Sequence, residues 1–180
     1  EALRRLWPTF CLAEEMGTRL GPSSLLQRCL PSWKASIILE AMTHELLLHI
    51  ATTWALAGLI WTIQIVHYPL FEQVGEDSFV TFHARHMWLI TWVAAPLMLA
   101  EVGSAALLLF LGERSPLFCL SLVPLPAIWA STIIYQVRLH DKLTNGFHLE
   151  TIRRLTFTNW IRTLGWTLRA GCLLAVLWPA

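Results

Sequence analysis

Four stretches of this chain, 46–66, 87–111, 116–137 and 159–178, lack the regular return of polar positions that a solvated helix or strand shows. The first and third carry no charge, and the second carries only Glu101. Each can bridge about 30 Å of hydrocarbon as a helix. The fourth reaches that length only by including Arg162 and Arg169, which must then sit inside the protein or snorkel to the interface. The pattern predicts an all-α fold, a membrane-embedded antiparallel four-helix bundle. Amphipathic segments at 77–87 and 148–157 predict short interfacial helices ahead of the second and fourth spans.

The joints between these stretches have their own chemistry. Pro69 disfavours the α conformation at Tyr68, which predicts that the first helix ends near His67. In the sequence GERSP, Gly112 stops one helix, Ser115 caps the next and Pro116 opens it. Thr144, Asn145 and Gly146 form the stop after the third span, while Pro96, Pro124 and Pro126 predict kinks or local breaks. Small residues one turn apart predict close helix contacts: Ala51 with Ala55, Ala100 with Ser104, Ala127 with Ser131, and Gly171 with Ala175.

Composition agrees with lipid as the solvent: 56% of residues are hydrophobic and 14% charged, against about 25% charged in soluble domains. Many of the ten tryptophans fall in or beside the spans, several near span ends, where indoles favour the interface. A net charge of +1 gives no reason to expect a nucleic-acid partner. The expected partners are the bilayer itself and another membrane protein or a second copy of the chain. Residues 1–41 mix charge, proline and short apolar runs without a sustained period. They read as a poorly structured leader, with Met42 the expected start of the natural protein. Arg85, Arg138, Lys142, Arg153, Arg154 and Arg162 gather on the side of the two histidine-bearing loops, which positive-inside logic places in the cytoplasm. The expected location is a bacterial inner membrane.

Candidate chemistry concentrates at that face. His67, His83, His86, His140 and His148 all fall at span ends that share it. Neutral imidazoles ligate iron, copper or zinc and carry protons near neutral pH. His67, His83 and His86 are therefore the candidate ligands for a haem or transition metal; interfacial anchoring is the duller explanation of the same residues. No CxxCH or HExxH motif is present. Gln64, Tyr135, Asn159 and Arg162, with Gln136, are expected to line a polar pocket at the same mouth. Such a pocket suits an anionic headgroup, a quinone or a haem propionate. Asn159, Arg162, Trp166 and Arg169 form one stripe at helical spacing, and Glu101 is the natural ion-pair partner for Arg169, chiefly to fix helix register. His44 and His49 lie at the far end of the first span and are not expected to join the pocket.

The strings HYPLF (67–71), FHARH (82–86) and TNWIRTLGWTLR (158–169) resemble those of small bacterial four-helix integral membrane proteins of unknown function. That resemblance covers about 42–178 and implies the fold, with no activity to carry over. A looser similarity to anthrone oxygenase-like membrane proteins rests on size and helix number alone. The expected function is a non-catalytic membrane subunit or small transporter with a polar cytoplasmic-side pocket. The alternative is a haem- or metal-binding membrane redox protein.

Overall fold

The computed structural model describes residues 32–176, which are helical apart from short connections and contain no strand among them. The helices are α1 (Ser32–Thr62), α2 (Tyr68–Phe71), α3 (Glu76–Phe110), α4 (Pro116–Leu122), α5 (Leu125–Ser131), α6 (Val137–Leu143) and α7 (Leu149–Val176). A π-turn, Ile63–His67, joins α1 to α2, and a second, Thr132–Gln136, joins α5 to α6. The result is four rods: α1 with α2, then α3, then α4 to α6, then α7. Three of them, Leu39–Phe71, Glu76–Phe110 and Pro116–Leu143, are long and apolar enough to cross a membrane.

Several boundaries differ from expectation, for identifiable reasons. The first rod does not end at His67. The π-turn closes with the Tyr68 amide donating to the Ile63 carbonyl, Tyr68 keeps an α backbone before Pro69, and the helix continues to Phe71. Pro69, which has no amide proton, falls in the first turn of α2, where that proton is least missed. The two interfacial segments are not separate helices, because each runs without a break into the rod behind it as the start of α3 or α7. Pro96 is carried within α3, whereas Pro124 lies at the interruption between α4 and α5. Gly112 and Gly146 take positive φ, 98° and 145°, at the ends of the second and third rods. Ser115 occupies the N-cap position before Pro116, but its hydroxyl caps nothing; its amide donates to the Glu113 carboxylate instead. Most of residues 1–41 lie outside the described residues, and 32–41 belong to α1.

The fourth rod packs against the first and third, and the first also packs against the second. On α7, Ile152, Leu155, Asn159, Arg162, Thr163, Trp166, Arg169, Ala170 and Leu173 are buried, a 3.6-residue stripe facing the other rods. Phe157, Ile161, Leu164 and Leu168 point outward. A water-soluble helix shows the reverse, polar side out. Phe110, Trp92, Leu99 and Val123 are also largely exposed, so apolar surface covers the outside of all four rods, consistent with contact with a lipid bilayer. The fourth rod is less apolar than the rest because its polar stripe is its inner face.

Of the small-residue pairs, Ala51, Ala55, Ala127, Gly171 and Ala175 are exposed, whereas Ser104 and Ser131 are buried. The tight approach occurs at Gly165, where a Cβ would lie 2.7 Å from Cγ1 of the buried Ile128. Core packing is continuous from Leu56 and Ile60 through Phe71, Phe79, Ile128, Ile152 and Trp166.

Candidate functional site

Two polar centres lie inside the bundle. The first sits at the level of the two π-turns, both of which pack against α7. A π-turn inserts one residue and rotates everything after it by roughly 100° relative to a regular helix. Gln64 and Tyr68 on the first rod, and Gln136 and His140 on the third, are buried pairs four residues apart on one face of their rod, while Tyr135 is half-exposed. Tyr135 makes no side-chain hydrogen bond to these residues. His148 is exposed.

His67, His83, His86 and His140 do come together. His67 Nε2 lies 2.7 Å from His86 Nδ1, and His83 Nε2 lies 3.0 Å from His140 Nδ1. The hydrogen-bond directions in the second pair are set by its neighbours. The Thr158 hydroxyl donates to the Arg154 carbonyl, so it accepts from Gln136 Nε2 at 3.1 Å. Gln136 Oε1 then faces Tyr68 and accepts the phenol proton at 3.2 Å. Tyr68 oxygen is left to accept from His140 Nε2 at 3.1 Å, which makes His140 Nδ1 the acceptor for the His83 Nε2 proton. His83 Nδ1 thus carries a lone pair, and it is buried without a partner. His86 Nε2 is likewise buried and unpartnered. Phe71 and Phe79 enclose the rings, Phe79 stacking on His83.

A parallel chain runs along α7. Arg162 Nη1 donates to Asn159 Oδ1 at 3.2 Å, Asn159 Nδ2 to Gln64 Oε1 at 3.0 Å, and Gln64 Nε2 to the Thr156 carbonyl at 3.1 Å. Thr163 adds a hydroxyl to Gln64 Oε1. The Arg162 guanidinium lies over the Trp166 ring, 5.3 Å from its centre, and its Nε–H has no acceptor. Among the described residues no carboxylate pairs with this buried cation.

The second centre lies deeper. Glu101 and Arg169, both fully buried, meet at 3.0 Å through Arg169 Nε. Glu101 also accepts from Thr53 at 3.1 Å and from the Trp166 indole at 3.2 Å. Arg169 donates to the Ser121 carbonyl and to His49 Nε2. His49 in turn donates through Nδ1 to Ser104, whose own hydroxyl is committed to the Glu101 carbonyl. All four rods contribute, and every charged group has partners. Distance along the first span from the other histidines hides His49 from a reading of the sequence. It lies one helical turn from Thr53, a readable sign that both face the same interior.

The first centre can exchange protons along an ordered chain and bind an anion at Arg162. As a metal site it is not supported. Among the described residues no group of three or more His, Cys, Asp or Glu is arranged to hold a metal ion. The imidazoles expected to be ligands are bonded to one another instead. Compared with known protein families, curated proteins and solved structures, the chain matches none, so the resemblance of its strings supplies no residue roles.

Proposed function

We propose that this chain is a multi-pass membrane protein, an antiparallel four-helix bundle with α7 as its fourth crossing. It acts as a non-catalytic membrane subunit or small transporter whose histidine-end pocket, on the cytoplasmic side, binds an anionic group. One observation carries the proposal: Arg162 is a buried guanidinium with an unused Nε–H and no carboxylate partner. An uncompensated buried charge is costly, and a carboxylate or phosphate that accepts from both Arg162 and Asn159 would relieve that cost. The Glu101–Arg169 centre is the contrast, since its charges are balanced internally and leave nothing for a ligand.

The test is thermal unfolding of detergent-purified protein with added fatty acid, phosphate monoester or anionic phospholipid. An anion at 100 times its Kd should add about 2.7 kcal/mol of stability. Arg162→Gln should abolish that gain. Equal stabilisation of wild type and variant would exclude the pocket as the anion site.

The alternative, a haem- or metal-binding redox protein, draws support from the unpartnered lone pair on His83 Nδ1 and the unpartnered His86 Nε2. Recruiting His140 as well would break its bond to His83 or to Tyr68, since both its ring nitrogens are engaged. A Soret band, or a stoichiometric metal lost in a His83→Ala, His86→Ala double variant, would establish it; a colourless, metal-free protein would remove it.

A further inference from the structure

The hydrogen-bond directions at the histidine end leave one atom able to take a proton without breaking any bond. His83 donates through Nε2 to His140 Nδ1, and His140 donates through Nε2 to Tyr68. His83 Nδ1, buried and without a partner, keeps its lone pair. A proton that binds there leaves both hydrogen bonds in place. The Nε2 proton of His83 can then pass to His140 Nδ1, which makes His140 the imidazolium and lets His83 Nε2 accept in return. Charge that enters at His83 thus comes to rest on His140, which still donates to Tyr68. Arg162 acts electrostatically on both Tyr68 and His140, so the charge arrives within range of that guanidinium. The groups facing the imidazole pair are His86 on α3, its ring centre 6.4 Å from that of His83, His67 and Tyr68 on the first rod, and Arg162 on α7. Among the described residues no carboxylate bridges to any of them.

We infer, resting on the anion pocket at Arg162, that its occupant is a phosphate-type dianion that binds together with one proton held by the His83–His140 pair. Charge balance selects this class. Arg162 by itself neutralises a carboxylate or any other single negative charge. A proton added to that complex would be a second buried cation without a partner, which is costly. A dianion instead leaves one negative charge buried beside Arg162, and an imidazolium on His140 cancels it. The pocket therefore supplies one permanent cation and one that forms only when an occupant calls for it. His86 Nε2 is also buried and unpartnered. Its ring, however, is bonded only to His67 and has no hydrogen bond to His140 or Tyr68, so a proton there stays off the chain that leads toward Arg162.

Calorimetry on the detergent-purified full chain tests this with sulfate and methanesulfonate, which carry a double and a single charge and do not titrate between about pH 5 and 8. Proton uptake is read from the change in binding heat between buffers of different ionisation enthalpy. Sulfate should bind wild type with uptake of about one proton, its Kd weakening by up to about tenfold per pH unit as pH rises, because the proton must be supplied along with the anion. Methanesulfonate should bind with little uptake, its Kd moving by less than about twofold over the same range. His83→Gln, whose amide can still donate to His140, should lose the uptake and the pH dependence, while His86→Gln should keep both. Sulfate binding without proton uptake, equal uptake with methanesulfonate, or uptake that survives His83→Gln would overturn the inference. A chain that fatty acid stabilises through Arg162 but that does not bind sulfate would overturn it and leave the anion pocket standing, whereas binding of no anion at all would remove both. Competition then identifies the source of the dianion. Displacement of sulfate by phosphatidic acid in the micelle and not by methyl phosphate assigns a lipid headgroup, the reverse assigns a soluble phosphate ester, and either result supports the dianion.

Discussion

Glu101→Gln isolates the charge at the deeper centre, because the amide keeps the carboxylate's shape and leaves no cavity. The wild-type carboxylate accepts from Arg169, Thr53 and Trp166, all at 3.0–3.2 Å and all away from solvent. Gln retains one acceptor oxygen and turns a donor toward a site that already supplies only donors. Arg169 then keeps the Ser121 carbonyl and His49 but loses its counter-charge. Removing one partner of a buried pair costs about 3–5 kcal/mol, since the other charge stays buried and unpaired. For a chain of this size that corresponds to roughly 6–20 °C in Tm, at about 2–4 °C per kcal/mol. The assay is thermal unfolding in detergent monitored by far-UV circular dichroism, with tryptophan emission reporting Trp166. Arg169→Met alone should be comparably damaging. The double variant Glu101→Gln, Arg169→Met should recover at least about 2 kcal/mol relative to the sum of the singles, which is the coupling expected of contacting charges. Single-variant losses that simply add, with coupling below about 0.5 kcal/mol, would refute the assignment of Glu101 and Arg169 as one electrostatic unit.

Three further outcomes are expected. Gly165→Ala places a methyl 2.7 Å from Ile128 Cγ1. It should lower stability by about 1–3 kcal/mol, with Ile128→Ala restoring part of the loss; a neutral Gly165→Ala would mean the rods can separate there freely. Glu72→Gln removes the solvent-facing bridge to Arg153, 3.4 Å in length, and should change stability by less than about 1 kcal/mol. An effect as large as that of Glu101→Gln would show that this joint is not solvated. Single cysteines at Gln73 and Asn145, with the native cysteines replaced, should react with an impermeant maleimide from the same side of a sealed vesicle. Labelling from opposite sides would contradict an even number of crossings between them.

Much of the candidate site is legible in the sequence as residue types, and less of it as an arrangement. Asn159, Arg162, Trp166 and Arg169 share a face because they lie on one uninterrupted helix, where spacing translates directly into direction. Glu101 is identifiable as the partner of Arg169 because it is the only acid deep in a span. Gln136 is buried and its neighbour Tyr135 half-exposed, as adjacent residues on a helix point about 100° apart, and nothing in TIIYQ announces the i to i+5 hydrogen bond found there. Tyr68 reads only as the residue before a proline, although its phenol joins Gln136 to His140. The metal set of His67, His83 and His86 assumes that nearby imidazoles share a ligand. Here their azimuths let them bond in pairs.

The sequence by itself determined that the chain makes helices, where the second and third rods stop, and that their outer surfaces suit hydrocarbon. These properties are local or periodic: a run of apolar side chains, a glycine able to take positive φ, a proline that opens a helix. Only the tertiary structure decided which polar groups meet. Two π-turns and the interruption at Pro124 each rotate the residues beyond them, so a side chain's direction depends on accumulated offsets along its rod. The opposite rods then select one partner from several at the same depth. That selection joined His49 to Arg169 and left Arg162 without a carboxylate. It also left one nitrogen of His86 buried and unpaired.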